Sequence, residues 1–358
     1  MGDRATGTGA AFDHAAAVMA AMVASGDYAS AVAAVSDGAT TRWSRAVGGT
    51  TAVAPDTIFP LASLTKPILA TAVLQLVERG LLLLGDPVAA YLPAFGANGK
   101  GGVTVWHLLT HSSGFAEFDD AARATLDGAY IRREPRAALY TIACGLGLDH
   151  PPGARQRYSR LPWLVLGELI ARVGGRDYPE WLRDELFAPL GMRDTSFTPA
   201  DTARLAREPA ALPELDTPAA WAYRDSLATD LYGTVPDLLA LGRALLGGGP
   251  GGAARVLGAG AVAAMATPQP GLVTEEDGAL RPVTTQGLGW ALRSPRGNIL
   301  GSPRGFGHAG GTGGWLWIDP GCDLAFALLS NSAGPSQGWG MRLLNACYGA
   351  RDRARDGG

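Results

Sequence analysis

Ser63-Leu64-Thr65-Lys66, running on into Ala70-Thr71-Ala72-Val73-Leu74-Gln75-Leu76-Val77-Glu78-Arg79 before Gly80, is the stretch that decides how this chain is read. It predicts a helix that begins at the serine and stops at the glycine. Residues i and i+3 share a helix face, so the Ser63 hydroxyl and the Lys66 amine can meet. A serine at the helix start also has a free backbone N–H, and the helix dipole favours negative charge developing beside it. The lysine itself is informative. Of the 30 basic residues only Lys66 and Lys100 are lysine, and the other 28 are arginine. Arginine stays protonated at any working pH, whereas a desolvated lysine can give up and regain a proton. The pattern points to a serine activated by an amine. By itself it remains ambiguous, because a capping serine three residues before a surface lysine also arises by chance.

The composition describes one soluble, enzyme-sized body. With 358 residues and 47% hydrophobic content the chain can bury a large core and has room for two substructures. A formal net charge of -3 with no basic stripe argues against a nucleic-acid partner. The greasiest run, Ile68 to Leu84, is interrupted by Gln75, Glu78, Arg79 and Gly80, so no membrane span is expected. The opening Met1-Gly2-Asp3-Arg4 lacks the basic start and apolar run of a secretory signal, and a cytoplasmic location is expected. Cys144, Cys322 and Cys347 are odd in number, far apart and set among apolar residues, which reads as buried packing thiols. His107 and His111 form a His-x-x-x-His pair, but the glutamate after the first histidine is missing and no third ligand is near. No metal and no cofactor are expected.

Outward from the Ser63 helix, the chain is organised by its ends. An Ala/Met/Val-rich helix from Ala15 to Ala24 stops near Gly26, and Tyr28 to Val35 and Thr41 to Val47 read as a strand pair around an Asp37-Gly38 turn. The middle alternates short helices with Pro/Gly turns, including helices over Leu161 to Val173 and Pro236 to Leu246, and Gly247 to Gly252 reads as a flexible loop. Strands return at Leu288 to Arg293, Gly305 to His308, Trp315 to Ile318 and Leu324 to Ser330, with a closing helix over Gln337 to Tyr348. Strands at both ends with helices between predict an α/β (α+β) fold, a mixed antiparallel sheet flanked by helices plus a mainly helical part. The expected division is a discontinuous sheet domain, 1–58 and 286–358, and a helical domain, 59–285, with the active site between them.

Two further motifs stand in order along the chain. Tyr158-Ser159 is entered through Pro151-Pro152-Gly153 and followed by an apolar helix; its phenol becomes a useful proton carrier beside a cation, which Lys66 supplies. Phe306-Gly307-His308-Ala309-Gly310-Gly311-Thr312-Gly313-Gly314-Trp315 couples an imidazole on a strand to small residues that let a substrate lie close to exposed N–H groups. Together with Ser63 and Lys66 these resemble the penicillin-recognising serine enzymes: class C β-lactamases, D-alanyl-D-alanine carboxypeptidases of that branch, and their esterase and transacylase relatives. Leu108-Leu109-Thr110-His111-Ser112-Ser113-Gly114 is similar to the family's Leu-Leu-Thr-His-Thr-Ser-Gly, and Pro189-Leu190-Gly191-Met192-Arg193-Asp194-Thr195 to its Pro-Leu-Gly-Met-x-Asp-Thr.

The resemblance implies that Ser63 is the nucleophile and Lys66 its proton-accepting or relaying partner. It implies that Tyr158 takes the serine proton and later passes one to the leaving group. His308-Ala309-Gly310 stands where lactamases carry Lys-Thr-Gly, and Gly311 is implied to give the second oxyanion N–H, paired with that of Ser63. Gly310 and Thr312 are implied to meet substrate, and His111 to hold its loop together. The departures are as informative. The family's Tyr-x-Asn becomes Tyr158-Ser159-Arg160, replacing an amide grip with a permanent cation suited to carboxylates, or with a residue turned to solvent.

These departures favour an ester or thioester acyl donor, one able to carry an acidic group, over a β-lactam or peptidoglycan peptide. The expected activity is a serine hydrolase or acyltransferase taking a small-molecule acyl donor and acceptor, with a D-amino-acid peptidase or weak β-lactamase as the runner-up and a non-catalytic acyl-compound binder as the reading from another class. Gly334-Pro335-Ser336-Gln337-Gly338 matches a nucleophile elbow, but that fold needs a histidine downstream and all five histidines lie upstream. Pocket shape depends on Glu117 to Ala143, Glu208 to Tyr232 and Gly271 to Pro282, which pattern alone does not fold, and the oligomeric state is not legible.

Overall fold

The computed structural model describes residues 6–7, 9–49, 52–115, 136–199, 201–206, 231–247, 255–276, 279–294, 297–332 and 337–356. The glycine run from Gly248, the Ser336 elbow, and most of the Glu117 to Ala143 and Glu208 to Tyr232 segments lie outside these residues.

The strands that matter are β1 (Thr6–Gly7), β2 (Ser30–Ser36), β3 (Thr41–Gly48), β4 (Phe59–Pro60), β5 (Tyr232–Gly233), β6 (Val273–Glu276), β7 (Ala279–Pro282), β8 (Ala291–Leu292), β9 (Phe306–Ala309), β10 (Trp315–Asp319) and β11 (Leu324–Ser330). Seven of them form one sheet in the order β1-β3-β2-β11-β10-β9-β8, and every pairing in it is antiparallel. The helices of ten residues or more among the described residues are α1 (Asp13–Ala24), α2 (Thr65–Glu78), α3 (Arg136–Gly145), α4 (Leu161–Gly174), α5 (Val235–Leu245) and α6 (Gln337–Asp356).

Alternation sorts the sheet into two faces. Ala31, Ala33 and Val35 of β2, Trp315 and Trp317 of β10, and Leu324, Phe326 and Leu328 of β11 pack with Met19 and Met22 of α1 and Leu343 and Leu344 of α6. Val32 and Ala34, Leu316 and Ile318, and Ala325, Ala327 and Leu329 face the other way, into a second cluster continuous with α2, α4 and α5. Because both faces are covered, all seven residues of β2 are buried, and the central strands read as apolar runs. The small residues have a purpose there. A Cβ on Gly242 of α5 would fall 2.8 Å from that of Ala325, so the helix lies close on the sheet only because both positions are small.

The greasy run noted in the sequence is α2, buried along Thr65 to Gln75 and on to Leu76 and surrounded by protein. Its one interior amide is half paired: Gln75 Nε2 donates to the carbonyls of Glu185 and Val256 at 2.8 and 3.2 Å, while Oε1 is buried without a hydrogen-bond partner. No helix among the described residues is long and apolar enough to cross a membrane.

One predicted strand is mostly absent. Leu288, Trp290 and Leu292 alternate as a strand should, yet β8 covers only Ala291–Leu292. Gly289 takes φ +75°, Leu288 N–H donates to Met265 O, and Gly289 N–H to Leu109 O. The backbone is therefore bonded to the helical side of the molecule instead of to β9. The closing helix also runs on past Tyr348 to Asp356.

The cysteines differ from expectation. All three are free, but only Cys347 is buried, while Cys144 and Cys322 are half-exposed.

Candidate active site

The site begins with a forced turn. β4 leads to Leu61, whose N–H donates to Leu231 O at 2.7 Å, and Leu231 N–H in turn donates to Thr65 Oγ1 at 3.1 Å. Between these two anchors Ala62 adopts φ +45°, a left-handed conformation that costs a residue with a Cβ on the order of 1–2 kcal/mol. A single 3-10 turn, Ala62–Leu64, then feeds α2, so Ser63 sits in the turn that precedes the α-helix proper. The sequence predicts a helix beginning at Ser63, whereas the α-helix begins two residues later, and nothing in the sequence signals the strain at Ala62.

Two side chains converge on the Ser63 oxygen. Lys66 Nζ donates to Ser63 Oγ at 3.0 Å, and Tyr158 Oη donates to the same atom at 2.8 Å. Lys66 is 1% exposed, and its ammonium nitrogen lies 5.1 Å from the centroid of the Tyr158 ring. Tyr158 is 48% exposed, so the phenol forms an open wall of the site while the lysine forms its floor. An amine and a phenol on one hydroxyl are what is needed to take a proton from a nucleophile and return it to a leaving group.

His111 explains why Tyr158 points there. Its ring stacks on Tyr158 at 4.6 Å, and its Nδ1 accepts from the N–H of Ser159 at 3.2 Å. Its carbonyl accepts from Arg157 N–H at 2.8 Å, and Ser112 O accepts from Gly153 N–H at 2.7 Å. One residue thus fastens the backbone on both sides of Tyr158, and it does so from φ +57°. An Nδ1 that accepts from a backbone N–H leaves the proton of the neutral ring on Nε2. Burial, then the nearby Lys66 and His308, hold the His111 pKa well below the ordinary imidazole value. The structural role read from the sequence is the one His111 has. His107 is a capping residue, its Nδ1 accepting from Thr104 N–H at 3.0 Å.

His308 lies at the inner end of β9, opposite Leu316 in register, with its ring 6.3 Å from that of Tyr158. Burial and then the charge of Lys66 push its pKa down to about 4, against a smaller upward pull from the Ala309 carbonyl.

The turn after β9 packs on the serine segment. A Cβ on Gly310 would come 3.0 Å from Leu61 O, and one on Gly314 3.0 Å from Leu64 Cδ1, so glycine at both positions lets the turn lie close on the serine segment. Gly310 N–H is taken by Gly314 O at 2.7 Å. Thr312 Oγ1 donates to Pro60 O at 3.2 Å, tying the turn to β4. Gly311 is exposed, with open space where a Cβ would stand. Arg160 is half-buried at the entry to α4, where its carbonyl accepts from Trp163 N–H at 3.1 Å.

A cavity of about 280 Å³ lies elsewhere, between the end of α5 and Pro303, Arg304 and Phe306, and none of Ser63, Lys66, Tyr158 or His308 lines it. Among the described residues, no three His, Cys, Asp or Glu side chains are grouped to hold a metal.

Comparison with known proteins gives a consistent picture. A family model described as Beta-lactamase matches residues 15–346. Penicillin-binding protein 4 of Amycolatopsis lactamdurans is 33% identical over 296 residues, covering 78% of this chain and 74% of that protein. Esterase EstB of Burkholderia gladioli is 36% identical over 162 residues, 42% of this chain and 41% of the esterase. The crystal structure of a penicillin-binding protein homolog from Caulobacter crescentus superposes with a TM-score of 0.78 at 22% identity, covering 97% of this chain and all of the other.

Proposed function

Because the chain belongs to the Beta-lactamase family, we propose that it is a serine acyl-enzyme catalyst acting as an esterase or transacylase on a small-molecule ester or thioester. The observation that carries this reading is the pair of contacts on Ser63 Oγ, from Lys66 at 3.0 Å and Tyr158 at 2.8 Å. In the proposed cycle one member of the Lys66–Tyr158 pair is unprotonated at the outset and takes the Ser63 proton as Oγ bonds to the carbonyl carbon. The N–H groups of Ser63 and Gly311 receive the oxyanion. The tetrahedral adduct collapses with loss of the leaving group, which takes its proton from Tyr158. Water or an alcohol then attacks the acyl-enzyme and gives its proton to the same pair, which returns it to Ser63 Oγ as the second adduct collapses and the acyl product leaves.

Two departures favour esters over β-lactams: His308 in the place of the family's lysine, and Arg160 in the place of its asparagine. Arg160 suits an acidic group on the donor, away from the bond that breaks. EstB, which is an esterase, supports the same choice. The similarity to penicillin-binding protein 4 over most of the chain favours a second reading, a D-amino-acid-specific carboxypeptidase or weak β-lactamase.

Both readings use Ser63, so substrates separate them. Purified protein and its Ser63→Ala variant are given a chromogenic short-chain ester and a chromogenic cephalosporin. The ester should turn over at least about 100-fold faster, with both activities lost in Ser63→Ala. A cephalosporin preference would replace the first reading with the second. No turnover of either, together with no labelling of Ser63 by a fluorophosphonate, would leave a binding protein.

A further inference from the structure

The polar end of the cleft carries a definite chemical preference, set by how His308 is held. Its Nδ1 lies 2.7 Å from the carbonyl oxygen of Ala309. A carbonyl oxygen only accepts, so Nδ1 is the nitrogen that bears the proton, and in the neutral ring Nε2 carries a lone pair. Among the described residues no group donates to Nε2. The ring is half-buried, so part of it remains reachable from the cleft. A second proton on this ring would place an imidazolium near the buried Lys66 ammonium, in a pocket that also holds the His111 and Tyr158 rings. Burial first, and then the charge of Lys66, pull the His308 pKa down to about 4 against that second proton.

We propose that His308 Nε2 is a hydrogen-bond acceptor that reads an O–H or N–H of the acyl donor or acceptor, and that this subsite rejects a carboxylate. This rests on the acyl-enzyme reading and adds the substrate class to it. A lysine at this point would offer three donors and a charge, whereas the neutral histidine offers a lone pair. Two lone-pair groups facing each other repel, so a carboxylate at this end loses its partner and its hydration together. A hydroxyl or amide N–H at the same place donates to Nε2 without bringing charge into the pocket. Any acidic group of the donor is thereby directed away from β9, toward the Arg160 side.

The test uses two chromogenic esters identical except that one ends in a carboxylate and the other in a carboxamide or hydroxymethyl group. With Arg160 replaced by alanine, so that a carboxylate has no second cation to go to, the protein should prefer the uncharged ester by about tenfold or more in kcat/KM. Adding His308→Lys should move that ratio at least tenfold toward the carboxylate, whereas His308→Gln, which brings no charge, should move it less. In that background a preference for the carboxylate, or a ratio unchanged by His308→Lys, overturns the proposal. Nitrogen NMR of the ¹⁵N-histidine-labelled protein adds a readout independent of turnover: His308 should show a protonated Nδ1 and an unprotonated Nε2 from pH 8 down to pH 5. An imidazolium signature at pH 6 overturns it. Fluorophosphonate labelling separates the two levels. Failure to label Ser63 in the wild type defeats the acyl-enzyme reading, whereas normal labelling with an unmoved substrate ratio defeats only the role of His308.

Discussion

The chain's two lysines are both buried, and they do opposite things. Lys66, 1% exposed, directs its ammonium to a side-chain hydroxyl, Ser63 Oγ. Lys100, fully buried, directs its ammonium to backbone carbonyls, those of Cys144 at 2.9 Å and of Leu146. The Cys144 carbonyl lies in the last turn of α3 and that of Leu146 just past its end, where helix dipoles favour a cation and the last C=O groups lack intrahelical partners. Asn98 Nδ2 covers a third, Gly145 O, at 2.8 Å. The Lys100 ammonium thus caps a helix, and burial lowers its pKa as it would that of any enclosed amine. Burial alone does not mark a lysine as chemical. Its partner does: a hydroxyl can exchange a proton with an amine, and a carbonyl cannot.

The same substitution at the two positions should separate the two roles. Lys66→Met should lower kcat/KM by about 10³-fold or more, as expected for loss of a positioned base, with little loss of stability because a buried charge leaves along with its partner interaction. Steady-state kinetics and chemical denaturation of the same preparation check both halves. Tyr158→Phe, which keeps the ring against His111 and removes the hydroxyl from Ser63, should cost about 10²–10³ in kcat and leave the fold intact. Lys100→Met should do the reverse, costing about 2–3 kcal/mol of stability through unpaired carbonyls, with turnover per folded molecule unchanged. If Lys100→Met abolished activity while leaving the denaturation midpoint alone, the contrast between the two lysines would collapse.

How much of this was legible depended on whether the cause was local. The Ser63–Lys66 pairing follows from helix spacing, and the meeting with Tyr158 from the resemblance carried by three motifs in order. Alternation also disclosed β10 and β11 to within a residue. It failed at Leu288 to Arg293, where the pattern was right but Gly289 turns the backbone toward Leu109 and Met265, contacts made by residues distant in sequence. The same limit hid the strain at Ala62, the β6–β7 hairpin and the cap formed by Lys100. His308 was identified as a site residue, yet its neutrality depends on Lys66 and on burial, neither of which lies beside it in the chain. Cys144 and Cys322 pack against the two clusters as packing thiols should, yet both stay half-exposed, which their apolar sequence neighbours did not disclose.

A smaller effect sharpens the comparison through pH. His111 and His308 are both held below the ordinary imidazole value of about 6.5 in the fold, so between that pH and about 4 the unfolded chain binds more protons than the native one. Stability should therefore be flat above pH about 7 and fall as the solution is acidified, with His308 contributing on the order of 1–2 kcal/mol between pH 6.5 and 5 and His111 acting in the same direction. Urea midpoints measured across that range should show the slope, and His308→Gln should remove its share. A slope that persists unchanged in His308→Gln would place the titrating group elsewhere.

The most direct measurement is intact-mass spectrometry with peptide mapping after exposure to a fluorophosphonate. A single adduct should appear on the peptide carrying Ser63, vanish in Ser63→Ala, form far more slowly in Lys66→Met and form at the wild-type rate in Lys100→Met. An adduct on any other residue, or ester turnover that survives Ser63→Ala, would contradict the account.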